Sequence, residues 1–157
     1  QFVMLGKAQA SQRKPENLEK LIQDTVCLMK SYARAHQVNL YYQTGISDPN
    51  VLIDASQIKQ VLINFIKNAI EAQPDGGNVQ ISLHPDSTSM TVKIIDEGPG
   101  MSQQIVDQLG SPFISTKEDG LGMGLAISLD LIKAHDGTYT IHSTEGEGTT
   151  VEFTLPV

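Results

Sequence analysis

The chain has 157 residues, 39% hydrophobic and 18% charged, which is the length and balance of one globular domain able to bury a core. A formal charge of −7 argues against a nucleic-acid surface, and a single cysteine, Cys27, excludes an internal disulfide. No run approaches the roughly 18 apolar residues of a membrane span, and the opening QFVMLGKAQASQRK lacks signal-peptide features. A cytoplasmic, reducing setting without direct membrane contact is therefore expected, although a parent protein could carry a membrane anchor.

Residues 1 to 14 read as the tail of an earlier helix and a linker, with the domain proper spanning 15–157. From Glu16 to about His36, Leu18, Leu21, Ile22, Val26, Met29 and Ala33 recur at three- and four-residue steps, and Pro15 suits a first helical turn. VNLYYQ and NVLID read as short strands, after which Asp54 or Ser56 caps a second helix that PDGG at 74–77 terminates. NVQISLH and SMTVKIID alternate as neighbouring strands around the turn PDST. A short helix is expected near 101–109 and a long one over Leu125 to His135, and TYTIHS and TTVEFTLP form a closing hairpin around EGEG. This order predicts an α+β two-layer sandwich: one mixed, mostly antiparallel sheet with helices on one face.

Three features carry chemistry. The second helix has an apolar stripe of Ile58, Val61, Leu62, Phe65 and Ala69, and a second stripe of Gln57, Gln60, Asn64, Asn68 and Glu71. Asn is a poor helix former, so two of them one turn apart suggest amides facing something specific, such as Mg²⁺ shared with phosphate oxygens; a solvated or hydrogen-bonded face is the competing reading. At DEGPG, Asp96 is either a turn former accepting its own backbone hydrogens or a carboxylate for an exocyclic amine such as that of adenine. In TKEDGLGMGLAI, Thr116 and Lys117 precede Gly120, Gly122 and Gly124, which lead into a helix whose first turn offers free N–H groups and a positive dipole end. The GxGxG spacing fits neither a Walker loop nor a dinucleotide fingerprint, and the signatures of protein kinases are missing. Polyphosphate against that backbone is the reading taken.

The ordered set NFIKNAIEA, DEGPGM, PFISTK and GLGMGL, followed by EGEGTTVEFTLP, resembles the N, G1, F and G2 boxes of the ATP-binding domain of bacterial sensor histidine kinases, members of the GHKL superfamily. The resemblance implies the Bergerat-type two-layer fold and ATP with Mg²⁺ as cofactors. It implies that Asn68 binds the metal while Asn64 lines the same site, with Lys67 and Glu71 nearby, and that Asp96 holds the adenine amine in a cavity shaped by Gly98, Gly100, Met101 and Thr149. It further implies that Lys117, with Ser115 and Thr116, reaches the phosphates from a lid, and that Gly120, Leu121, Gly122, Met123, Gly124 and Leu125 fold over them. Asp136 replaces a frequent glycine in the turn after the last helix, which is read as structural.

In related ATPases and serine kinases the position of Asn64 resembles a glutamate acting as general base. An amide cannot accept that proton, so slow hydrolysis by this domain is expected, and the pattern fits transfer to an imidazole. Of His36, His84, His135 and His142 only His135 precedes an acid, and it stands at a helix end. The acceptor is therefore expected on an upstream dimerisation domain, with a response regulator downstream and the isolated domain a monomer. A stand-alone ATPase or serine kinase of the superfamily, or a degenerate nucleotide-binding module, is the alternative.

Overall fold

The computed structural model describes residues 12–43, 46, 48–108 and 121–157; for Gln108 and residues 121–123 only the backbone is described. The order is β1 (Lys14–Asn17), α1 (Leu18–Ala35), β2 (Val38–Tyr42), β3 (Asn50–Ile53), α2 (Ala55–Glu71), β4 (Gly77–Pro85), β5 (Ser89–Asp96), α3 (Gln103–Gln108), α4 (Leu121–Ala134), β6 (Thr138–Thr144) and β7 (Gly148–Pro156). Five strands form one sheet in the order β2-β4-β5-β7-β6, with β2 parallel to β4 and the other pairs antiparallel. This is the mixed sheet expected; of residues 1–14, expected as a helix tail and linker, 1–11 lie outside the described residues and Lys14 opens β1.

Every second residue of β5, Met90, Val92, Ile94 and Asp96, is buried, because period-two alternation turns one face toward the helices. Against that face lie Ile58, Leu62, Phe65 and Ile66 of α2, and Phe65 meets Phe153 of β7 at a tilted ring distance of 5.8 Å. α2 packs between α1 and α4. The helix begins where expected: Asp54 Oδ1 accepts the N–H groups of Ser56 and Gln57, relieving two of the first turn's free donors.

Two boundaries differ from expectation. Pro15 is in a strand, not a first helical turn: Lys14–Asn17 pairs antiparallel with Asn50–Ile53 as a separate two-stranded ribbon, and Asn17 caps α1 by accepting the N–H of Lys20. A short edge strand tolerates the missing proline donor, whereas the cap oxygen belongs at Asn17. The last helix starts at Leu121 rather than Leu125, so Gly122 and Gly124 are inside its first turn. Their poor helix propensity hides that turn from a sequence reading. Among the described residues no helix is long and apolar enough to cross a membrane.

Candidate functional site

The site is laid out along α2. Asn64, Asn68 and Ala72 follow at steps of four residues, so they share one face and span about 12 Å along the axis. Each end of that line touches a different element. The amide nitrogen of Asn64 lies 2.8 Å from Ser128 Oγ and 3.4 Å from the carbonyl of Gly124, both on α4. At the other end a Cβ on Gly98 would stand 2.7 Å from the carbonyl of Ala72, so glycine is what lets the DEGPG loop close onto the helix. Asn68 sits half-buried midway, with Lys67 exposed beside it.

The loop end is organised by Asp96, which closes β5 with only 7% of its surface exposed. Its Oδ1 accepts the N–H of Gly98 at 2.8 Å and that of Thr149 at 3.3 Å, while the described residues direct no hydrogen bond to Oδ2. Burial pushes its pKa up, opposed by those two donors, and Glu97 next door raises it further. The turn-former and ligand readings of Asp96 are thus compatible: one oxygen shapes the turn and the other is spare. Gly100, at φ +73°, turns the chain against the backbone of Thr144. Met101 then donates its N–H to Ser143 Oγ at 2.7 Å, and the same hydroxyl meets Thr149 Oγ1 at 2.8 Å and the carbonyl of Gly148 at 3.2 Å.

Ser143 escapes a sequence reading that singles out Thr149. The register of the closing hairpin, which places Ser143 opposite Thr149, is the signal that could have found it. Ser128 and Tyr32 are also missed. The Tyr32 hydroxyl donates to Glu71, and burial together with that carboxylate pushes its pKa up to about 12. Glu71 is therefore engaged by α1 from across 39 residues, which no local pattern announces.

At the α4 end, a Cβ on Gly124 would meet nothing within 4 Å. Among the described residues, no packing demands glycine there. The backbone of Gly122 and Gly124 lies in the first turn of α4, where N–H groups lack helical acceptors, and the core side of the turn is fixed by buried Leu125. The expected roles of Ser115, Thr116, Lys117 and Gly120 lie outside the described residues, as do the side chains of Leu121 and Met123. Among the described residues no three His, Cys, Asp or Glu side chains gather as a metal cage. The donor set on α2 is instead two neutral amides, which suits a hard cation that keeps waters and takes its remaining oxygens from phosphate.

His135 is fully committed to structure. It is 1% exposed, its Nε2 accepts the N–H of Asp54 at 3.1 Å, and its Nδ1 pairs with the carbonyl of Leu131 at 2.9 Å. Burial pushes its pKa down, the Leu131 contact opposes this, and Arg13 adds to the lowering. The same corner receives the entering chain: Gln12 N–H donates to Asp54 Oδ2 at 2.9 Å, and Arg13 bonds the carbonyl of Ala134 and, at 3.2 Å, Asp136. Asp136 holds φ +61°, the left-handed conformation that explains why a glycine would be at home there.

A layered sheet whose covering helices present two amides and a glycine-bearing first turn, with a buried aspartate at a strand end, is the architecture of this domain. The chain belongs to the histidine kinase-, DNA gyrase B- and HSP90-like ATPase family, whose model matches residues 53–157. Sporulation kinase E of Bacillus subtilis (strain 168) is 36% identical over 158 residues, covering 100% of this chain and 21% of that protein. The nucleotide-free catalytic domain of the histidine kinase ThkA superimposes with a TM-score of 0.84 at 30% identity, over 92% of this chain and 95% of that one. A longer ThkA in complex with the response regulator protein TrrA gives 0.84 at 27% identity, over 99% and 45%. Full-length ShkA in complex with AMPPNP gives 0.85 at 26% identity, over 99% and 33%. The chain spans between 21% and 38% of the curated relatives compared. It is a histidine-kinase ATPase domain.

Proposed function

We propose that this domain binds Mg²⁺-ATP and donates the γ-phosphoryl group to a histidine on a dimerisation domain of the same kind of kinase, from which it passes to an aspartate of a response regulator in the cytoplasm. Asp96 carries the reading: a buried carboxylate, held through one oxygen by Gly98 and Thr149 and with the other spare, is placed to accept a hydrogen bond from the adenine amine. The AMPPNP bound to ShkA and the TrrA bound to ThkA support nucleotide and partner respectively.

With adenine at Asp96, a nucleotide laid along α2 brings its phosphates past Asn68 to the first turn of α4. There the free N–H groups face anionic oxygens, and none of the described residues would stand within 4 Å of a Cβ at Gly124. Asn68 and Asn64 would hold Mg²⁺ through amide oxygens, and the ion would neutralise phosphate charge and fix the phosphates in line. Lys117, Thr116 and Ser115 are assigned to the phosphates from outside the described residues. In the transfer step an unprotonated imidazole nitrogen bonds to the γ-phosphorus while the bond to the bridging β-γ oxygen breaks, releasing ADP; the site contributes positioning and charge rather than a base. Asn64, with its nitrogen turned toward Ser128 and Gly124, cannot activate water. His135, buried and bonded at both nitrogens, is no acceptor, which supports an acceptor on another domain.

Calorimetric titration of ATP into this chain, with and without Mg²⁺, beside an Asp96→Asn variant, tests the reading. Metal-dependent binding that the variant loses is the expected result. Equal binding by both proteins would overturn it.

A further inference from the structure

We infer that Ser128 is a positioning residue for the metal end of the site: it anchors the Asn64 amide in the orientation that the Gly124 carbonyl selects. Ser128 is 0% exposed and lies on α4 among Leu125, Leu129 and Ile132, where an apolar side chain would pack without needing a partner. A buried hydroxyl there is costly unless bonded. Its partner is the amide nitrogen of Asn64 at 2.8 Å.

The orientation of that amide is fixed by chemistry. Asn64 also reaches the Gly124 carbonyl, and a carbonyl only accepts, so the nitrogen and not the oxygen must point at α4. Oδ1 is thereby turned away from α4, and the described residues direct no hydrogen bond to it. A free amide on a helix surface samples both orientations, and only one presents oxygen to a cation. The Gly124 carbonyl, at 3.4 Å, selects the orientation but holds it weakly, and the shorter bond to the Ser128 hydroxyl, which could pair with either amide atom, anchors the orientation so selected. Ser128 therefore preorganises the second oxygen donor on α2 while tying the first turn of α4 to it. The sequence hides this pair, because Ser128 lies 64 residues from Asn64 in a helix that otherwise reads as core.

This inference rests on the Mg²⁺-ATP reading, and a double-mutant cycle separates the two. The Mg²⁺ concentration at half-saturation of ADP binding is measured by calorimetry for the wild type, Ser128→Ala, Asn64→Ala and the double variant, together with ADP binding in EDTA. Ser128→Ala is expected to raise the Mg²⁺ midpoint about three- to tenfold, the worth of one hydrogen bond, while leaving ADP binding in EDTA within about twofold. In the Asn64→Ala background the same substitution is expected to change nothing further, since Ser128 acts through Asn64. An unchanged midpoint, an equal shift in both backgrounds, or an equal loss with and without metal would overturn the proposal. A wild type that binds ADP with no metal dependence would overturn the underlying reading of the site instead.

Discussion

The two ends of the site are built on opposite principles. Around Asp96, the DEGPG loop is closed by backbone and hydroxyl hydrogen bonds from Gly98, Thr149 and Ser143, all drawn from a strand end and a hairpin. Around Gly124, the described residues offer one side-chain pair, Asn64 with Ser128, and nothing within 4 Å of where a Cβ would stand. Among the described residues, the first end is closed by the protein's own hydrogen bonds, and the second is the end that the proposed reading gives to the phosphates and the metal. On that reading nucleoside selectivity should reside at the Asp96 end, and metal and phosphate dependence at the Gly124 end.

Breaking the Asp96 end gives the largest expected effect. Asp96→Asn keeps an oxygen for Gly98 and Thr149 but turns the spare acceptor into a donor, so nucleotide affinity should fall by about ten- to hundredfold. The same variant should melt higher at neutral pH. The folded-state pKa of Asp96 is raised, so the folded protein holds that proton longer than the unfolded chain, and stability is lost as pH rises from the usual carboxylate range through the folded value. A lower melting temperature at pH 7, measured by scanning calorimetry, would contradict this account.

Filling the Gly124 end should be milder and of mixed sign. Gly124→Ala meets no atom of the described residues within 4 Å and replaces a glycine inside a helix, so the fold should gain about 0.5–1 kcal/mol. ATP binding should nonetheless weaken several-fold, because the new methyl occupies ligand space; stronger ATP binding in the variant would show that the phosphates lie elsewhere.

His135 provides a control outside both ends. Its folded-state pKa is lowered, so its neutral form contributes stability that is complete above a pH of about 6.5 and drains away as pH falls toward the folded value. Urea titrations should show the wild type losing stability below that point by up to about 1.4 kcal/mol per pH unit from this group, with the slope reduced in His135→Gln. The smallest effect concerns Gln37, which holds φ +61° just past α1; Gln37→Gly should stabilise by about 0.5 kcal/mol with no change in nucleotide binding.

What was legible in the sequence follows the range of the interactions. Asp54 announces the start of α2 and PDST the β4–β5 turn because cap and turn chemistry acts over three or four residues. Asn64, Asn68 and Asp96 stood out as polar residues where the local pattern did not need them. The ribbon of β1 with β3 did not, since Pro15 is equally suited to a helix start and to an edge strand. Nor did the Tyr32–Glu71 and Asn64–Ser128 pairs, or the joint at Arg13, each of which exists only once distant elements have packed.

That joint has a consequence for the order in which the molecule comes apart. Arg13 reaches Ala134 and Asp136 across 121 and 123 positions, and Gln12 reaches Asp54, the residue whose N–H is held by His135. Loops of that span close late in folding, after the local helices and hairpins exist. The bracket is therefore the last stitch in and the first out: amide exchange at the start of α2 and the end of α4 should rise together, as one cooperative opening, before the sheet gives any proton up.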